Sequence, residues 1–161
     1  MLPAILDFLA AIGLPARAAC LDAPTFLPGI RITGGELLFD PARLRWPCDL
    51  LHEAAHIALV PAARRCALDD ALGEVEQDAA AGEVEAIAWS WAAIVHLGLD
   101  PSALFHPDGY RGQSAALMLT YSLGVFPGAA GLARIGLTAT GEEARDLGVA
   151  PYPHMLRWLR K

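Results

Sequence analysis

The sequence lacks the features that mark membrane, disulfide-stabilised and nucleic-acid-binding proteins. Its three cysteines, Cys20, Cys48 and Cys66, form no Cys-x-x-Cys pair, and their odd number in a chain of 161 residues argues against a disulfide framework. No apolar run reaches the roughly 18 residues that a membrane helix needs. We therefore expect a cytoplasmic protein that works in a reducing compartment and has no membrane partner.

Positive charge is scarce as well. Lysine and arginine total 12 against 18 aspartate and glutamate residues, which gives a formal net charge of -6. The basic residues form only short runs such as Arg64-Arg65, so we expect no stripe for a phosphate backbone and no nucleic-acid partner. Apolar residues, in contrast, make up 55% of the chain, enough for the core of one ordinary domain over residues 1–161.

Apolar spacing and turn residues predict an α+β fold that is mostly helical. Residues 30–32 and 36–39 flank Gly34-Gly35, a pattern typical of a β-hairpin. A helix should follow, opened by Pro47 and ended before Pro61. Helical spacing also predicts helices over residues 3–13, 70–97, 114–123, 127–135 and 155–159. Two more helices should begin at residues 101 and 140. Residues 62–69 and 105–112 are predicted loops.

The residues His52-Glu53-Ala54-Ala55-His56 carry the strongest chemical signal in the chain. On a helix, positions four apart lie on one face, so the two imidazoles can bind one metal ion. Glu53 lies about 100° around the helix, where the general base of a metallopeptidase is expected. Apart from Asp49, these are the only polar residues of an apolar helix. Burying them without a partner would be costly, and a zinc ion is a suitable partner.

A catalytic zinc ion usually has three protein ligands and one open position. Position 62 is alanine, so the third histidine of another zincin pattern, six residues after His56, is absent. We therefore look for a carboxylate on the next predicted helix. Glu83 shares a helical face with small and apolar residues that should pack against the motif helix. It is the favoured third ligand, and Glu76 and Glu85 are the alternatives.

A small sheet, the His-Glu-x-x-His helix and a second helix reading Glu83-Val-Glu-Ala-Ile-Ala-Trp89 resemble the ImmA/IrrE-type metallopeptidase domain over roughly residues 25–97. In that family a Glu-x-x-Ala stretch supplies the third zinc ligand, which the resemblance assigns to Glu83. The resemblance implies a zincin-like fold of the gluzincin kind, zinc as cofactor and Glu53 as general base. Ile87 stands where the family usually has asparagine, and the substrate is left open.

The sequence therefore predicts a zinc metallopeptidase that hydrolyses a peptide or protein substrate with a metal-activated water. The developing oxyanion needs a hydrogen-bond donor, and His106, Tyr110 and Arg111 in the turn-rich loop are the candidates. The alternative is a non-catalytic zinc module for regulation or protein binding. In that case a side chain such as Cys48, one turn before His52, would fill the fourth position. The oligomeric state is open.

Overall fold

The computed structural model describes residues 1–22, 24–69 and 82–161 of the chain. Helices predominate over one small three-stranded sheet, which confirms the predicted α+β class. The α-helices are α1 (Leu2–Ala11), α2 (Asp49–Leu59), α3 (Glu83–Leu97), α4 (Pro101–Leu104), α5 (Ser114–Ser122), α6 (Ala129–Arg134) and α7 (Gly141–Leu147). The strands are β1 (Ala16–Ala18), β2 (Ile30–Thr33) and β3 (Glu36–Phe39), and 3-10 turns cover Ala62–Ala67 and Tyr110–Gly112. Within the described ranges, no helix is long and apolar enough to cross a membrane.

The predicted β-hairpin forms as β2 and β3, which pair antiparallel with Thr33 opposite Glu36. Gly34 and Gly35 form its two-residue turn with φ angles of 58° and 75°, in the left-handed region that this tight turn requires. A side chain at Gly35 would also collide with the backbone of Arg65. The third strand, β1, lies parallel to β3. The sequence does not predict β1, because it is three residues long and mostly exposed.

Helix α2 lies at the centre of the core. Nearly all of its residues are buried, and it contacts α3, both hairpin strands and α1. Its most extensive contact is with α3. Small, fully buried side chains on both helices, among them Ala54 and Ala55 on α2 and Ala86 on α3, allow this close packing. The core therefore holds α2, and the polar motif that it carries, in one position.

Two arginines close the C-terminal end of α2. Arg160 donates from its backbone N–H to the carbonyl oxygen of Ala58 at 2.9 Å and from its side chain to that of Leu59 at 3.4 Å. Arg65 donates to the carbonyl oxygens of Val60 and Arg160. The last carbonyl groups of a helix lack partners within the helix and carry partial negative charge. These cations therefore stabilise the end of α2.

The other predicted helices form near their expected positions, except at the end of the chain. The prediction of a helix over 155–159 is wrong, because this segment forms no helix. Met155 pairs with Thr138 in a β-bridge, and the Trp158 ring packs against Phe8 at a centroid distance of 4.8 Å. Tertiary packing of these apolar residues outweighs their helical spacing. The predicted loop 62–69 contains a 3-10 turn. The first part of the helix predicted over 70–97 lies outside the described residues, and its last part is α3.

Candidate metal centre

Helix α2 places His52 and His56 one turn apart on the same face. Nε2 of His52 lies 3.2 Å from Nε2 of His56, and the two rings meet edge to face at an interplanar angle of 86°. The His52 side chain is 12% exposed and the His56 side chain 7% exposed. The helical spacing of four residues thus brings two imidazole nitrogens to one largely buried point.

Glu83, the first residue of α3, completes the group. Its Oε1 lies 3.3 Å from Nε2 of His52, and its Oε2 lies 3.5 Å from Nε2 of His56. Ligand atoms about 2.1 Å from a tetrahedral zinc ion would lie roughly 3.4 Å from one another. The three side chains therefore have the spacing of a group that could hold a metal ion. The Glu83 side chain is 59% exposed, which leaves the group accessible to solvent on that side.

The two histidines also set the charge state of Glu83. Partial burial disfavours the ionised carboxylate, but hydrogen bonds and charge attraction from His52 and His56 outweigh this effect and hold the pKa of Glu83 well below its usual value. Glu83 is therefore a carboxylate at any ordinary pH. A cation needs this form of the ligand, because binding requires deprotonated donor groups.

Three buried polar atoms without a hydrogen-bond partner occur among the described residues: Nδ1 of His52, Nδ1 of His106 and the Tyr110 hydroxyl. The Tyr110 ring meets the His52 ring edge to face, with centroids 5.6 Å apart. Burial, together with the negative charges of Asp49 and Glu83, raises the pKa of Tyr110 well above its usual value. The Tyr110 hydroxyl therefore keeps its proton, and its ring lies against one of the candidate metal ligands.

His106 forms a buried pair with Asp49, the first residue of α2. Nε2 of His106 lies 2.9 Å from Oδ1 of Asp49, and the His106 ring stacks on Trp46 with centroids 4.4 Å apart. Burial raises the pKa of Asp49, and the bond to His106 offsets part of that increase. The structure thus places His106 in a pair beside the group of three, and its second ring nitrogen, Nδ1, is buried without a partner among the described residues. Arg111, the third loop candidate, is exposed.

Glu53, the predicted general base, follows His52 on α2 and is only 9% exposed. The alternative ligand Glu85 has another role, because its Oε2 accepts a hydrogen bond from the backbone N–H of Gly82 at 3.0 Å and its Oε1 lies 3.8 Å from Arg134. This capping bond fixes the start of α3 next to Glu83. The alternative Glu76 lies outside the described residues.

Cys48 is fully buried, and its Sγ lies 3.8 Å from Sδ of Met1. Burial raises the pKa of the Cys48 thiol to about 12, with a smaller contribution from the charge of Asp49. The Cys48 sulfur does not belong to the converging group, which consists of His52, His56 and Glu83. This arrangement leaves His52, His56 and Glu83 as the donor set.

The structure brings together residues that the sequence pattern singles out, and it adds one relationship that the sequence does not reveal. Asp49 and His106 are 57 positions apart, so no local spacing links them. Within residues 1–22, 24–69 and 82–161, no second group of three or more His, Cys, Asp or Glu side chains converges as this one does. Comparison with known proteins adds no relative: no family model, no curated protein and no solved structure matches the chain.

Proposed function

We propose that this chain is a zinc-dependent peptidase of the ImmA/IrrE type, which hydrolyses a peptide bond in a peptide or protein substrate. The observation that carries the proposal is the convergence of His52, His56 and Glu83 at separations of 3.2 to 3.5 Å. The resemblance of the motif and of the second helix to that family supports the same function.

The donor set favours zinc in a catalytic site. Two imidazoles and one carboxylate are a common ligand set for catalytic zinc, whereas structural zinc sites have four protein ligands that usually include cysteine. The exposed side of Glu83 would admit water and substrate to a fourth position. Zinc bound by these residues would lower the pKa of water toward neutrality and polarise the carbonyl group of the substrate.

Two further side chains would move or donate protons. Glu53 would accept a proton from the attacking water and pass it to the leaving amine. Because Glu53 is buried, its attraction to the positive charge of a bound zinc ion would be stronger than in water. The Tyr110 hydroxyl would donate a hydrogen bond to the oxyanion that develops on the substrate. The hydroxyl has no partner within the described part of the chain, so it can meet this demand without breaking another bond.

The non-catalytic alternative requires a fourth protein ligand. Cys48 is the sequence candidate for that role, but its Sγ lies 3.8 Å from Sδ of Met1 and is outside the converging group. A buried donor without a partner costs stability, and the Tyr110 hydroxyl is such a donor among the described residues. A zinc module without catalysis offers no function that would offset this cost. The open, three-ligand site therefore favours the peptidase.

The test combines metal analysis with a peptidase assay. The purified chain is stripped with a chelator, reloaded with zinc and assayed on an unfolded protein, with the products identified by mass spectrometry. We expect one zinc ion per chain, cleavage that follows the zinc content, and loss of both in His56→Ala. His154→Ala, which changes an exposed histidine, is the matched control and should retain both. Failure of the wild type to bind zinc would refute the proposal, and stable zinc binding with no cleavage would favour the non-catalytic module.

A further inference from the structure

The loop between α4 and α5 is attached to α2 by a buried polar pair. Asp49 is 5% exposed and His106 is 3% exposed, and they are joined by the 2.9 Å contact between Oδ1 and Nε2. Removing two such groups from water is costly unless they satisfy each other with good geometry. A pair of this kind favours one arrangement of the loop on the helix.

The His106 end of this attachment is held from several sides. Its ring stacks on Trp46 at an interplanar angle of 6°, and a Cβ at Gly109 would come within 3.0 Å of the same ring. The Ser114 hydroxyl donates to the carbonyl oxygens of His106 at 2.6 Å and Gly109 at 3.2 Å. Hydrogen bonds and ring stacking therefore fix both ends of the segment from His106 to Ser114.

Between these fastenings the backbone takes an unfavourable conformation. Tyr110 and Arg111 have φ angles of 50° and 52°, in the left-handed region that non-glycine residues rarely adopt. Such strain persists where the surroundings enforce it, and it is common at functional sites. In this conformation the Tyr110 ring meets the His52 ring, and the Tyr110 hydroxyl is buried without a partner among the described residues.

We propose that the Asp49–His106 pair is a positioning device that holds the Tyr110 side chain against the His52 ring of the candidate metal centre. Its catalytic consequence rests on the proposed peptidase function, but its structural consequence does not. Asp49 and His106 are positioning residues, because they act on the reaction through Tyr110. His52 lies one turn after Asp49 on α2, so one helix carries both the anchor of the loop and the group over which the loop is held.

The first test measures the position of Tyr110 directly. The chain has only three tyrosines, so the Tyr110 resonance in a ¹³C-tyrosine-labelled sample can be identified with Tyr110→Phe. In the wild type, with or without zinc, we expect nuclear Overhauser contacts between the rings of Tyr110 and His52. In His106→Ala these contacts should disappear and the Tyr110 resonance should move to the position of an exposed tyrosine. The Tyr152 ring packs on Phe126, away from Tyr110, so its resonance should stay in place and reports in the same spectrum that the variant is folded.

Two variants separate positioning from a general loss of structure. His106→Gln keeps a side-chain donor for Asp49 and should retain the contact between Tyr110 and His52 at least in part. Should His106→Ala fail to fold, Asp49→Ala, which removes the acceptor of the pair, replaces it and should weaken the same contact. His154→Ala is the matched control and should leave the contact between Tyr110 and His52 unchanged. Unchanged Tyr110 contacts in folded His106→Ala or Asp49→Ala would overturn the proposal.

Kinetics supply the second readout. In zinc-loaded protein, we expect His106→Ala to lower kcat on the order of 10²-fold, as loss of one oxyanion donor does, with KM and zinc content nearly unchanged. Addition of Tyr110→Phe should lower kcat little further, because both changes remove the action of one hydroxyl. Fully multiplicative effects of the two substitutions would contradict the positioning role. If the wild type has no peptidase activity, the proposed function fails while the resonance experiment still decides this inference.

Discussion

At the scale of single residues, the candidate ligands differ from the side chains that would handle protons. His52, His56 and Glu83 are the groups whose removal would change metal binding, because their donor atoms face one another. Glu53 and Tyr110 would act on water and on substrate, so their removal should leave metal binding in place. This division gives each residue its own experimental signature.

Glu53→Gln should separate binding from turnover. The amide has nearly the same shape but cannot accept the proton of the attacking water, so we expect kcat to fall about 10²- to 10⁴-fold. Zinc content and the melting temperature should change little. Zinc analysis and steady-state kinetics of the same preparation give the measurement, and Glu142→Gln, at an exposed position on α7, is the control. Full activity of Glu53→Gln would remove Glu53 from the mechanism.

Tyr110→Phe should make the protein more stable and less active. The substitution deletes a buried hydroxyl that has no partner among the described residues, and such a group costs about 1–3 kcal/mol. We therefore expect a higher midpoint of denaturant unfolding together with a kcat about 10²-fold lower. A lower midpoint would mean that the hydroxyl has a partner in solution, and an unchanged kcat would exclude it as the oxyanion donor.

At the scale of elements, the centre depends on the contact between α2 and α3. α2 supplies two candidate ligands from its middle, and α3 supplies the third from its first turn, where a helix is least constrained. The capping bond from Gly82 to Glu85 compensates for this weakness, since it fixes the first turn of α3. The position of Glu83 should therefore depend on Glu85, although Glu85 is outside the group of three.

Glu85→Ala should weaken metal binding without touching a ligand. Loss of the cap costs about 0.5–2 kcal/mol of helix stability, and we expect zinc affinity to fall about 10-fold or more, as for other residues that orient a ligand. Competition with a fluorescent zinc chelator measures the affinity. Glu143→Ala, at the third position of α7 and exposed, is the matched control and should leave the affinity unchanged. Equal affinities for Glu85→Ala and the wild type would show that α3 begins independently of its cap.

At the scale of the whole molecule, a metal ion would join two elements that are far apart in sequence. Anything that binds only the folded state stabilises it, by about 2.7 kcal/mol when its free concentration is 100 times its Kd. In a domain of this size each kcal/mol corresponds to a shift of about 2–4 °C in Tm. Calorimetry with and without a chelator should therefore show zinc raising Tm by roughly 5–10 °C. The increase should be absent in His56→Ala, and an equal increase in that variant would place the bound zinc elsewhere.

Sequence patterns predict the structure correctly where all the residues that determine an element lie within one short segment. The hairpin around Gly34-Gly35 and the motif on α2 depend on spacing within a few residues, and both segments form as predicted. β1 could not be predicted in this way, because three mostly exposed residues show no alternation of apolar and polar side chains. The pair of Asp49 with His106 could not be predicted, because only the folded chain brings them together. Residues 155–159 have helical spacing but pack as an irregular segment.

Because an arginine near the end of the sequence contacts the end of α2, shortening the chain there should affect that helix. Arg160 contacts the carbonyl group of Leu59, 101 positions earlier in the chain. Deletion of the last two residues would remove the bonds of Arg160 to Ala58 and Leu59 and leave Arg65 at the carboxyl-terminal turn of α2. Fraying of that turn, which begins about one turn from His56, should then increase. A chain shortened in this way would therefore hold His56 less firmly, although the deleted residues are far from His56 in the sequence.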